Sequence, residues 1–272
     1  LRMSDFNTTG LSGISDFTDK RSHWFSLLHG SGMSEKNGAT GGSKGIGKYA
    51  TFTNSLFRTV FYITHTDKGE KGYEGMSYLC TGVIPESEKG EVTEGLGYYG
   101  SDDVNNPILE DLTLDDGFHG RDNNEAGTDI YILGFNNSGN WKKEIISKIL
   151  ESFMVAIAFG KLIVTVDDTV INKTTLKDIV YNPDFVSGNT LTKTIVSQYI
   201  LLSGDPEVNI DHLDIELEGE VLGTVDLYSK ELKGEQAKYA TNKCVMIRYP
   251  YMKIKDTKQI TNNSMSVSSL CI

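Results

Sequence analysis

Cysteine is scarce in this 272-residue chain, and the three present, Cys80, Cys244 and Cys271, are far apart and odd in number. With no CxxC pair and no Cys/His cluster at zinc spacing, neither a disulfide scaffold nor a zinc module organises the sequence. The thiols read as buried side chains in a reducing cytosol, so a cytoplasmic location is expected. Long apolar runs are also missing. The strongest, around Phe153 to Phe159, is far too short to span a membrane, and no stretch reads as a signal peptide. Positive charge is in deficit. Lys and Arg number 26 against 37 Asp and Glu, a net charge of −11. That balance argues against broad nonspecific nucleic-acid binding, although a local basic groove stays compatible with it. There is no GxSxG, no internal repeat and no low-complexity tract. The five histidines carry no metal-binding spacing, and His23 and His29, six apart, do not share a helical face. Packing or surface roles are expected for all of them.

What is present fits a globular protein, with 38% hydrophobic and 23% charged residues over a length that suggests one large domain or two small ones. The most informative stretch is Gly41-Gly42-Ser43-Lys44-Gly45-Ile46-Gly47-Lys48, followed by an apolar helical pattern at Tyr49, Ala50, Thr53 and Phe57. A glycine-rich turn that opens a helix offers unpaired N–H groups and the positive end of a dipole, both suited to phosphate. It is not a P-loop, because Tyr49 stands where Ser or Thr would follow the lysine. It is not a dinucleotide fingerprint either, since no clear βαβ unit surrounds it. Upstream, Gly30 to Gly42 is glycine-dense and reads as a mobile lid.

The rest of the chain reads as follows. Leu1 to Met3 ends a strand, and Asp5 follows it in a turn-rich segment that reaches Gly13. Trp24 to Leu28 is a short amphipathic piece. Strands are predicted over 59–66, 73–84, 91–98 and 127–135, with an irregular acidic connection over 100–126. Glu110-Asp111 to Asp115-Asp116 is expected to be a solvated loop. Trp141 to Phe159 is the clearest helix, with Trp141, Ile145, Ile146, Ile149, Leu150, Phe153, Met154 and Ile157 on one face, Asn140 before it and Gly160 after it. A strand over 161–166 follows. Beyond a junction at Asn182-Pro183-Asp184, strand-like runs at 193–202, 212–217, 221–228, 243–247 and 265–270 flank a weak helix or loop over 230–240. Two domains are therefore expected, residues 1–184 and 185–272.

Three separate motifs fall in a telling order: Asp5 with Gly10 nearby, then the glycine-rich segment and helix start, then the strand entered through Gly127-Thr128. That order resembles the GHKL ATP-binding superfamily of gyrase, the large heat-shock chaperone, MutL, MORC proteins and histidine kinases, with the chaperone and MORC side closest in pattern. The likeness covers residues 1–168 or so. SDFNTTGL, GGSKGIGK and GTDIYILGF also resemble a bacterial group of such proteins linked to restriction or phage defence. The resemblance implies a Bergerat-type fold in the α/β (α+β sandwich) class, a mixed sheet backed by helices, then a smaller transducer-like α+β domain.

It further implies a ligand, ATP with Mg²⁺, and a set of residues. Asp5 would accept from the exocyclic amine of adenine, a donor group. Gly10 and Leu11 would pack beside the base and Thr128 would bond near it. Gly42, Gly45, Ile46 and Gly47 would offer N–H groups to phosphates, with Ser43, Lys44 and Lys48 adding hydroxyl and charge. No metal ligand is expected in this chain, since the family's Mg²⁺-binding Asn and water-activating Glu precede the Asp5 motif. The usual compact DxGxG is stretched here to Asp5-Phe6-Asn7-Thr8-Thr9-Gly10. A lysine from the second domain that reaches the γ-phosphate in the family could be Lys193, Lys238 or Lys243. Leu1 and the strand-like Leu270-Cys271-Ile272 both read as cut ends, so the chain is expected to be part of a larger protein. That parent would be an ATPase, a nucleotide-sensing scaffold or a chaperone-type clamp. Homodimerisation through nucleotide-driven closure, and protein or DNA partners through missing regions, follow from the same resemblance.

Overall fold

A computed structural model describes residues 1–30, 47–87, 89–101, 105–110, 121, 125–257 and 266–272. The expected lid after Gly30, most of the glycine-rich stretch and the acidic run after Glu110 lie outside the described residues. Two compact units form, the first running to Asn136 and the second from Asn137 to Ile272. The break falls before the long helix and not at Asn182–Asp184, because that helix turns its apolar stripe to the helices that follow it.

In the first unit, β1 (Arg2–Ser4), β2 (Thr59–His65), β3 (Lys71–Tyr78), β4 (Leu96–Tyr99) and β5 (Gly127–Ile132) form a sheet in the order β1-β5-β2-β3-β4. Every pairing in it is antiparallel, where a mixed sheet was expected. The tight turn from His65 to Lys71 allows only antiparallel pairing of β2 with β3. The β-branched and aromatic run Thr-Val-Phe-Tyr-Ile-Thr-His makes β2 a central strand with two buried faces. Val60 and Tyr62 point into a core with Ile14, Trp24, Leu28, Phe52 and Met76. Ile63 lies on the opposite face with Tyr73, Tyr131 and the flanking Phe61 and Ile108. Two short helices supply part of the first core. α1 (His23–Leu28) begins at Ser22, whose hydroxyl accepts from the Phe25 N–H at 3.1 Å. α2 (Tyr49–Thr53) ends at Asn54, so the helical pattern stops short of Phe57, which is 66% exposed.

The second unit packs helices on a sheet. α3 (Trp141–Ala158) buries Ile146, Leu150, Met154 and Ile157 against α4 (Leu176–Val180) and α5 (Asn189–Leu202). The expected strand over 161–166 narrows to β6 (Val164–Val166), which forms a two-stranded hairpin with β7 (Thr169–Ile171). The larger sheet has β8 (Asn209–Leu217), β9 (Glu220–Glu231), β10 (Cys244–Arg248), β11 (Met252–Asp256) and β12 (Val267–Cys271) in the order β11-β10-β12-β9-β8, with β10 and β12 parallel. Val155 and Leu201 bring α3 and α5 onto Val245, Ile247 and Leu270 of this sheet.

The strand expected over 193–202 is the helix α5. Its Thr, Ile and Val residues carry strand propensity, but Ile195, Val196 and Ile200 are buried in the helical core, and tertiary packing overrides local preference. A 3-10 helix, Gly234–Tyr239, occupies the ambiguous segment before β10. Cys80 is exposed, not buried as expected, whereas Cys244 and Cys271 are half-buried and unbridged. No helix among the described residues is long and apolar enough to cross a membrane. The architecture is thus mixed α and β, with antiparallel pairing prevalent.

Candidate functional site

Residues far apart in sequence meet where β1, β5 and β2 lie side by side. β1 pairs with β5 so that Ser4 faces Asp129, and the chain then leaves the sheet at Asp5. The Asp5 N–H donates to the Thr128 carbonyl at 3.0 Å, and the Thr128 N–H donates back to Asp5 Oδ1. Asp5 is exposed while Thr128 is buried. An ionised carboxylate has acceptor sites on both oxygens, so the bond from Thr128 leaves Asp5 able to accept further.

Thr64 of β2 stands directly opposite Thr128 and joins the remaining members. Its side chain is fully buried. Thr64 Oγ1 accepts from the Leu11 N–H at 2.9 Å, lies 3.1 Å from the Gly127 carbonyl and 3.1 Å from Thr128 Oγ1. A threonine has one proton to give. When it goes to Gly127, Thr128 donates to Thr64 and keeps its own lone pairs for an incoming N–H. Gly10 has φ +66°, and a Cβ there would run into the His65 carbonyl and come within 3.0 Å of Thr64 Oγ1. Only glycine suits that backbone and that approach. Thus Asp5, Gly10, Leu11 and Thr128 do come together, and the stretched spacing from Asp5 to Gly10 closes onto one spot through Thr64.

Behind this spot sits an ion cluster that the sequence did not disclose. Asp129, fully buried, takes Arg2 on Oδ2 and Arg121 on Oδ1, each at 2.9 Å. The Arg121 guanidinium is itself buried, also donates to the Asp5 carbonyl, and lies 4.6 Å from the Phe6 ring centroid. Gly127, at φ +146°, leaves room for this arrangement, since a Cβ would sit 2.7 Å from Asp5 Oδ1 and collide with Arg121. The glycine of Gly127-Thr128 is therefore required by Asp5 and Arg121. The only sequence signal for the cluster was an aspartate inside an otherwise apolar strand, where a buried charge demands a partner.

The glycine-rich stretch is only partly visible. Gly42, Ser43, Lys44, Gly45 and Ile46 lie outside the described residues. Gly47 is exposed, and a Cβ there would meet nothing. Lys48 precedes α2 and is buried. Its ammonium donates to the Leu28 carbonyl at 3.4 Å and to the Gly30 carbonyl, at the end of α1, instead of facing outward. Burial holds its pKa below the ordinary lysine value. Lys193, Lys238 and Lys243 lie in the second unit, on α5, in the 3-10 helix and just before β10. Of the histidines, His65 lies in β2. His29 stacks on Phe25 and Tyr98 with Nε2 3.0 Å from the buried Glu74, which also accepts from Trp24 Nε1 at 3.1 Å. Beside it opens a cavity of about 90 Å³ lined by Lys20, Trp24, His29 and Asn106 among others, and by none of Asp5, Gly10, Leu11 or Thr128.

Among the described residues, no three His, Cys, Asp or Glu side chains group closely enough to hold a metal ion. No family model matches the chain, and no curated protein matches it.

Proposed function

We propose that the first unit binds ATP, with adenine against Asp5 and Thr128 and the phosphates toward the glycine-rich stretch ending at Lys48. One observation carries this reading: the exposed Asp5 carboxylate accepts from the Thr128 N–H, while the Thr128 hydroxyl is tied through Thr64 to the Leu11 N–H. Two adjacent acceptors suit the two protons of an exocyclic amine. Leu11 adds apolar surface for a base, and Gly10 keeps the approach clear of a side chain. The phosphate half rests on sequence alone, through the N–H groups that a glycine-rich turn can offer from 42 to 47. In the arrangement described, Lys48 is engaged by the end of α1, so its charge reaches a phosphate only after that contact is released. Beyond binding, a role in an ATPase that couples closure to dimerisation, in DNA-linked or anti-phage defence, is the wider setting the resemblance suggests.

Asp5→Asn tests the reading by calorimetry. Asparagine keeps an oxygen for the Thr128 N–H but turns an N–H₂ toward the base, donor against donor. Loss of one such bond corresponds to about 1–3 kcal/mol, so ATP affinity is expected to fall about 5- to 150-fold. GTP, which carries a carbonyl where adenine carries the amine, is expected to bind weakly to the unaltered chain. A folded Asp5→Asn variant that binds ATP as well as its parent would remove the adenine assignment.

A further inference from the structure

The second unit ends its larger sheet in a strand with no further strand beside it among the described residues. β8 pairs only with β9 and forms the sheet edge, and among the described residues no strand lies beyond it. Its nine residues are exposed throughout, a rare condition for a strand of this composition. The sequence Leu213-Asp214-Ile215-Glu216-Leu217 alternates apolar and acidic residues, a pattern that in an antiparallel sheet ordinarily covers a core with its apolar face. Here the apolar face is bare, with Leu213 43%, Ile215 46% and Leu217 60% exposed. Val221 and Leu222 across the hairpin are exposed as well.

Charge identifies what fits. From Asp205 to Tyr228 the chain carries eight carboxylates (Asp205, Glu207, Asp211, Asp214, Glu216, Glu218, Glu220 and Asp226) and no Lys or Arg. Lys230 at the base of the hairpin pairs with Asp205 and Glu207, and His212 Nδ1 lies 2.6 Å from Asp226 Oδ1. Among the described residues, Asp211, Asp214, Glu216, Glu218 and Glu220 have no cationic partner. A second copy pairing edge to edge would set this acidic strand against itself, and like charges across a ladder oppose pairing. A strand with Lys or Arg on one face and apolar side chains on the other would satisfy both faces at once, while its backbone completes the ladder.

We infer that the outer edge of β8 docks an extended segment of a partner protein in which basic and apolar residues alternate. The proposal stands apart from the nucleotide reading, since it uses no residue of the first unit. It is tested on the 272-residue chain with a labelled nonapeptide alternating Val and Lys, followed by fluorescence anisotropy. The alternating peptide is expected to bind. A peptide of equal composition, with its lysines and valines gathered in separate halves, is expected to bind about tenfold more weakly, because it cannot present one face of each kind. Combining Asp214→Lys with Glu216→Lys, both on exposed positions, is expected to weaken the alternating peptide by about tenfold or more and the ATP titration not at all. Equal binding of the two peptides, or no binding of either, overturns the inference. So does sedimentation showing that the unaltered chain self-associates and that Leu217→Lys abolishes the association, since a second copy would then own the edge.

Discussion

β2 and β8 are both strands of antiparallel pairings, and they meet opposite fates. β2 lies third of five in its sheet, with a core on each face, and even its polar Thr64 is fully buried. β8 lies at an edge with both faces in solvent. In β2 the buried Thr64 had to find partners inside the protein, and it did, through Leu11, Gly127 and Thr128. In β8 the polar side chains stay exposed, with partners only along the hairpin itself, as between His212 and Asp226. A buried polar group fixes its neighbours because leaving it unpaired costs about 1–3 kcal/mol, whereas an exposed one fixes little. The candidate nucleotide site is thus built on a buried central strand, and the candidate docking edge on an exposed one.

The comparison breaks most visibly at Asp129. Asp129→Asn keeps the shape of the side chain but removes the charge that Arg121 and Arg2 share. Arg121 would then be a buried, unmatched cation, and removing one partner of such a pair costs about 3–5 kcal/mol. Chemical denaturation is expected to show a loss of that size in the first unit. A loss below about 1 kcal/mol would mean that the cluster is solvated and that the strand beneath the site is not the buried element described. Thr64→Val is next. It preserves volume while leaving the Leu11 N–H without its acceptor and the Gly127 carbonyl without its donor, at a cost of about 1–3 kcal/mol. Because Thr64 joins Leu11 to Thr128, ATP affinity should fall in a variant that still melts cooperatively. Stability lost without any change in affinity would separate the polar strand from the site.

How much of this could be read beforehand differs between the regions for a physical reason. β2, β5 and α3 were legible because each carries its period and its burial in one short window. Asp5, Gly10 and Thr128 were legible only through a resemblance, and Thr64, the residue that joins them, was not, since a threonine within a β-branched run looks like any other strand residue. Arg121 is separated from Asp5 by 116 positions, and no local pattern announces that pair. α5 was misread because Thr, Ile and Val dominate it, and its burial against α3 is a tertiary fact. β8 was read as a strand-like run over 212–217, and its apolar residues alternate with acidic ones. The same alternation implied a covered face that the described residues do not supply.

That missing cover gives the smallest expected effect. Leu217→Ser removes a large apolar side chain from the end of β8, where it is 60% exposed. In the core a comparable truncation opens a cavity and costs several kcal/mol, as Leu150 in α3 would show. At Leu217 there is no cavity to open, because solvent already occupies the space, and the change should lie within about 0.5 kcal/mol by thermal or chemical unfolding. Serine also has modest strand propensity, and at an exposed edge that preference is weak. A neutral result means the apolar face of the hairpin contributes nothing to folding, so its alternation requires another explanation, such as the basic extended segment inferred above. A loss above about 1.5 kcal/mol means the face is covered in solution by another part of the chain or by another copy of it, and β8 then joins β2 as a strand whose pattern is satisfied from within.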